Sequence, residues 1–164
     1  MMDEIVNKVD QKNLLVFDLS EYFPKSKIAS FDTSQFLVEG LLLREKDFRR
    51  HCKEFDWSIF GDQHLCVHCS TDAILPAWAN LLITKHASVY AKSITVGTKD
   101  SFLSLYYQKV LNALDIEKYK GERVIIKGCS NVPVPEQAYV EATRLLTGIV
   151  KKLSYGEACS QVPL

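Results

Sequence analysis

The five cysteines and four histidines are the residues of this 164-residue sequence most able to do chemistry. They crowd at His64-Leu65-Cys66-Val67-His68-Cys69, where a strand would set alternate residues about 6.6 Å apart and His64 about 13 Å from His68. One ion cannot take His64, Cys66 and His68 together across that span, although Cys66 and His68 could bind at about 2.0–2.3 Å if partners came from elsewhere. Cys66 and Cys69 have the spacing of a thioredoxin motif or zinc knuckle, yet residues three apart on a strand face opposite sides. Cys66 therefore reads as buried packing. Cys69 and Cys129 each follow a short apolar run and precede a helix, at corresponding places in two similar segments, and a thiol near a helix N-terminus is shifted toward thiolate. That suits a thiolate nucleophile, or a metal site in which Cys69, Cys129 and Cys159 hold zinc or iron with Asp72 or a water. A phosphatase loop needs an Arg about six residues after its Cys, where Leu75 and Pro135 stand, and no P-loop or G-x-G-x-x-G is present. His86, late in a helix beside Lys85, suits the helix dipole without a catalytic role.

Elements to position these groups follow from periodicity. Leu14 to Phe17 reads as a strand, with a loop at Pro24-Lys25-Ser26. Leu41, Phe48, Cys52 and Phe55 fall on one helical stripe, which makes Cys52 a core residue. An offset of 59 residues lays Pro76 on Pro135, Ala79 on Ala138, Thr84 on Thr143, Lys92 on Lys151 and Gly97 on Gly156. Both copies, 60–97 and 119–156, read as strand, polar loop, Pro-opened helix and second strand. The first comprises His64 to His68, Cys69 to Asp72, Pro76 to Tyr90 and Lys92 to Val96. The second comprises Arg123 to Lys127, Gly128 to Asn131, Pro135 to Val150 and Lys151 to Tyr155. Two such βαβ units imply mostly parallel strands with right-handed crossovers. Pro suits a first helical turn, and Asp72 and Asn131 are expected as loop or cap acceptors. Ala138, Ala142, Leu145 and Ile149 should face inward with Glu136, Glu141 and Arg144 elsewhere, and Trp78, Leu81, Leu82 and Val89 should do the same duty in the first copy. A connecting helix is expected from about Ser101 to Leu114, with Asp100 as N-cap and Leu103, Tyr107, Val110 and Leu114 inward.

Composition narrows the function. Twenty basic residues balance twenty acidic ones, which supplies no field for a polyanion. The charged stretch Arg44 to Asp56 mixes both signs, with Glu45 and Arg49 spaced as an i,i+4 pair. Nucleic acid is therefore not an expected partner. No apolar run is long enough for a span, and the first fifteen residues carry Asp3, Glu4 and Asp10 without a signal-type core. An odd cysteine count without an export signal points to a reducing, cytoplasmic setting and against a disulfide framework.

Glu39 to Arg49, Asp56-Trp57, Cys69 to Ala79, Ile126 to Ser130, Val134-Pro135, Ala138-Tyr139 and Tyr155 to Pro163 together resemble a bacterial protein family catalogued as a domain of unknown function. The resemblance covers most of the chain and brings no activity with it. It selects among the cysteines, since Cys69, Cys129 and Cys159 stand in the matching segments, while Ala158 replaces an expected Pro.

The expected fold is a single α/β domain over residues 1–164. It has one mixed, mostly parallel sheet built around the two βαβ units, flanked by helices. The expected function is binding, without catalysis, of a partner at the strand-to-helix loops through Cys69, Ser70, Asp72, Cys129, Ser130 and Glu157. The partner would be a small ligand, another protein or a second copy of the chain. The alternatives are the three-cysteine metal site and a thiol-based enzyme, for which no catalytic residues can be named.

Overall fold

The computed structural model describes residues 14–128, 131–157 and 159–164. In chain order its elements are β1 (Leu14–Asp18), β2 (Ile28–Asp32), α1 (Glu45–Glu54), β3 (His64–His68), α2 (Ala77–Ala87), β4 (Ser93–Val96), α3 (Lys99–Asn112), β5 (Arg123–Lys127), α4 (Glu136–Leu146), β6 (Lys152–Glu157) and β7 (Ser160–Pro163). Short 3-10 helices cover Leu19–Tyr22, Thr33–Phe36, Trp57–Phe60 and Glu117–Tyr119. The chain forms two compact units, Pro24–Tyr106 and a discontinuous one made of the residues up to Phe23 with Tyr107–Leu164.

The α/β class, the parallel strands and the two βαβ units are as the sequence reads. The strands, however, belong to two sheets instead of one. In the Pro24–Tyr106 unit, β2, β3 and β4 run parallel in that order. In the discontinuous unit the order is β1-β5-β6-β7, parallel except for the last, antiparallel strand. β3 is the middle strand of its sheet and β5 lies between β1 and β6, and this is why Leu65-Cys66-Val67 and Val124-Ile125-Ile126 are buried apolar runs without alternation.

The duplication reaches further than its five identities. β3 and α2 fall on β5 and α4 at the 59-residue offset without adjustment of either end. Buried Ala79, Ile83 and Ala87 superimpose in register on buried Ala138, Ala142 and Leu146, and Phe48 and Cys52 of α1 on Tyr107 and Leu111 of α3. Upstream, Phe31-Asp32-Thr33-Ser34 ending β2 repeats Phe17-Asp18-Leu19-Ser20 ending β1. Each aspartate accepts the amide of its serine, at 3.0 Å for Ser34 and 2.9 Å for Ser20, and so starts a 3-10 turn. Both units are therefore strand, 3-10 turn, helix, 3-10 turn, strand, helix, strand. One copy is nested in the chain between the first strand and the helix of the other.

Several local expectations change. α2 buries Ala79, Ile83 and Ala87, while Leu81 (67% exposed) and Val89 (76%) face outward. Small side chains let this helix lie close on the sheet, Trp78 and Leu82 pack against the core as read, and only Leu81 and Val89 were misplaced by bulk. Trp78 packs edge-on to Phe48 and under the Arg49 guanidinium, 5.1 Å from its ring centre. Glu141, expected outside, is 5% exposed and bound by Arg144 and Asn112. Neither Asp72 nor Asn131 caps a helix, because α2 and α4 open at Pro76 and Pro135 with no side-chain cap. Asp100 lies within the first turn of α3, and Thr98 Oγ1 accepts the Ser101 amide instead. Leu41 is exposed, whereas Phe48 and Cys52 are fully buried as read.

The Pro24–Tyr106 core centres on Phe31, ringed by Phe36, Phe55, Trp57 and Phe60 at 4.9–6.2 Å. Each such side chain contributes about 1.5–3 kcal/mol by burial. Trp57 Nε1 donates to Cys52 O at 2.8 Å, so the indole carries no orphaned donor.

Candidate functional site

In a parallel sheet the loops after the strands gather at the carboxyl edge, where α/β proteins hold ligands. In the Pro24–Tyr106 unit this edge is built by the ends of β2 and β3. Asp32 and His68 are register partners, so the loop after β2 faces the loop after β3. The Asp32 carboxylate takes the Ser34 amide at 3.0 Å, the Ser70 amide at 3.0 Å and the Ser70 hydroxyl at 2.5 Å. The Ser70 hydroxyl bond leads in holding the Asp32 carboxyl far below the usual carboxylate range; burial, next in size, opposes it, and the Ser34 and Ser70 amides add to the lowering. Buried Thr33 donates to His68 O at 3.0 Å, and Thr71 donates to Gly40 O at 2.5 Å. Gly40 has φ of +71°, a turn that suits glycine.

Cys69 is half-buried inside this frame, its sulfur 3.3 Å from Thr71 Oγ1. Burial pushes the thiol up, but bonds from the Thr71 hydroxyl and amide and from Thr33 outweigh it, and the net shift is downward. Thr71 has one hydroxyl proton, which the thiol form leaves on Gly40 O. Ionising Cys69 draws that proton toward sulfur and loosens the tie to Gly40. Cys52 and Cys66 behave oppositely: burial pushes Cys52 up to about 11 and raises Cys66 as well. Ser70 and Asp72 are exposed on the same loop.

In the discontinuous unit, Lys127 Nζ lies 3.8 Å from Asp18 and 3.7 Å from Glu157, a loose bridge across the edge. Gly128 follows, and a Cβ there would collide with the Tyr139 hydroxyl. Burial leads in raising the Tyr139 phenol, followed by Tyr155 and Asp18. Beside it an open groove of about 320 Å³ is lined by Ile126, Glu136, Tyr139, Val140, Thr143, Tyr155 and Leu164.

The predicted site residues are thus distributed. Cys69, Ser70 and Asp72 share one loop, and Glu157 stands on β6 before exposed Cys159 of the β6–β7 turn. Cys129 and Ser130 lie outside the described residues. The matching ends of β3 and β5 also set Cys129 level with Ser70, and Cys69 level with Gly128, one residue from the correspondence first read. Among the described residues no three of His, Cys, Asp and Glu are grouped to hold a metal ion. His64 is a packed residue, its Nδ1 2.7 Å from Ser93 Oγ and its ring against Phe102 and Tyr106. Sequence reasoning missed Asp32, Thr33, Ser34 and Tyr139. The repeated Phe-Asp-x-Ser was the available signal for the first three.

The pattern of a family described as "Protein of unknown function (DUF2480)" matches residues 3–164. The chain belongs to that family. No curated protein and no solved structure matches it. The DUF2480 match takes in both units, so the nested order of the two copies falls within one family pattern. No helix among its described residues is long and apolar enough to cross a membrane.

Proposed function

We propose that this chain is a binding protein which takes a partner or small ligand at the loops ending β2 and β3, around Cys69, Ser70 and Asp72. The arrangement of Asp32 carries the reading. In phosphate-binding loops the free amides of a strand-to-helix turn cradle an anion. Here the Ser34 and Ser70 amides already hold the chain's own carboxylate. The groups left to a ligand are the Asp72 carboxylate, the serine oxygens and the Cys69 thiol, which suit an uncharged or cationic group. A carboxylate pulled so far down is also a poor proton acceptor, which favours binding over acid–base catalysis. The four free cysteines among the described residues support a cytoplasmic setting.

The test titrates N-methylacetamide, methylguanidinium and inorganic phosphate into the ¹⁵N-labelled chain. The first two should shift the amides of residues 32–34 and 69–72, and phosphate should not. Asp32→Ala should open the cradle and admit phosphate. Phosphate shifts at those amides in the unaltered chain would overturn the reading.

A second reading, thiolate coordination of zinc or iron, rests on the lowered Cys69 thiol. Elemental analysis of protein purified without added metal, beside Cys69→Ser, decides it: stoichiometric metal lost with that substitution supports coordination, and metal-free protein removes it.

A further inference from the structure

The internal duplication separates what both copies need to fold from what one copy adds. At the 59-residue offset the groove residues Ile126, Val140 and Thr143 fall on Val67, Leu81 and Thr84, so these lining positions are alike in kind in both copies. Three groove positions differ in kind: Glu136 replaces Ala77, Tyr139 replaces Asn80 and Tyr155 replaces Val96. A fourth change accompanies them. Gly128 stands where the other copy has Cys69, and only a residue without a Cβ leaves room for the Tyr139 hydroxyl. A fifth is β7, which has no counterpart beside β4 and brings Leu164 to the groove. None of these changes is needed to close a β-α-β layer, since the Pro24–Tyr106 unit closes one without them.

The groove chemistry is specific. The Tyr139 and Tyr155 rings meet at 82° with centres 5.6 Å apart, giving a corner with one ring face and one ring edge. Val140, Tyr155 and Leu164 remain 54%, 47% and 63% exposed, so apolar surface is left for an occupant to cover. A volume of about 320 Å³ falls at the small end of ligand sites. Among the described residues of the lining, Glu136 alone has a charged side chain. Negative charge in the lining and electron-rich ring faces both favour a cation.

We propose that the groove between α4 and the β6–β7 edge binds a small aromatic amine, its ring in the Tyr139–Tyr155 corner over Val140 and Leu164 and its ammonium at Glu136. This site is separate from the loops ending β2 and β3, and either can fail without the other.

The experiment adds 2-phenylethylamine, 2-phenylethanol and 3-phenylpropionate to the labelled full chain and follows the Tyr139 and Tyr155 rings and the Val140 and Leu164 methyls by NMR. The amine should bind about fivefold more tightly than the alcohol, as for an exposed ion pair, and the acid more weakly than both. Glu136→Gln should bring the amine to the level of the alcohol. Leu164→Ala, which keeps the backbone bond to Leu153 and trims an exposed side chain, should weaken all three. Equal binding of amine and acid, shifts that avoid these residues, or an amine preference that survives Glu136→Gln would each overturn the proposal.

Discussion

Asp32 answers to acid and Cys69 to alkylation, and both responses follow from the same loop. The folded chain holds the Asp32 carboxyl far below its unfolded value of about 4. Its stabilisation is therefore complete above that pH and is lost as pH falls through and below it. Acid unfolding of the Pro24–Tyr106 unit should be shallower in Asp32→Asn, as followed by Trp57 and Trp78 fluorescence between about pH 5 and 2. His64 acts in a higher window. Burial, with Lys92 nearby, holds its imidazole below the usual range, so the unfolded chain takes up a proton first. Stability then falls as pH drops below about 6.5, and His64→Gln should remove that slope. For the thiols, iodoacetamide near neutral pH should label Cys69 and exposed Cys159 and spare Cys52 and Cys66, read by mass spectrometry of the peptides. Thr71→Val should slow Cys69 several-fold without changing Cys159. Unchanged labelling of Cys69 in that variant would show that Thr71 does not assist the thiolate.

At the scale of elements, the copies test each other. Gly128→Ala forces the loop after β5 against Tyr139 and should cost about 1–3 kcal/mol. Tyr139→Phe in the same chain should restore part of that loss in denaturant titrations, because the hydroxyl is the first atom met and the ring carbon behind it the second. Strands β3 and β5 were legible because a strand buried on both faces is continuously apolar. β2 was not, since Ile28-Ala29-Ser30-Phe31-Asp32 has only Phe31 fully buried and offers no continuous apolar run. α2 was placed correctly and its inner face was read in half: Trp78 and Leu82 pack against the core, whereas Leu81 and Val89 face outward. Trp78, Leu81 and Leu82 outweigh Ala79 and Ala87 on any apolar scale, but close approach to a sheet selects for smallness. The loop site was legible in half. Cys69, Ser70 and Asp72 follow a recognisable strand, whereas Asp32, which fixes Ser70, arrives from 38 residues earlier in the chain, a distance no local pattern spans.

At the scale of the whole molecule, nesting sets an order of events. β1 must find β5 across roughly 100 intervening residues, a closure costing about 4 kcal/mol before its constant term. The Pro24–Tyr106 unit closes only its own shorter loops. Its amides in β2, β3 and β4 should gain protection before those of β1 and β5 in pulse-labelled refolding. Simultaneous protection of both sheets would show that the copies fold as one. β7 forms one edge of its sheet. Leu164 donates its amide to Leu153 O, so by alternation Gln161 and Pro163 turn their backbone away from β6. Proline has no proton to offer a newcomer strand. That edge of the sheet carrying the tyrosine groove is therefore blunted: of the two outward positions only Gln161 can donate to a newcomer strand, and Pro163→Val, which adds a second donor, should make concentrated solutions of the chain more prone to strand addition.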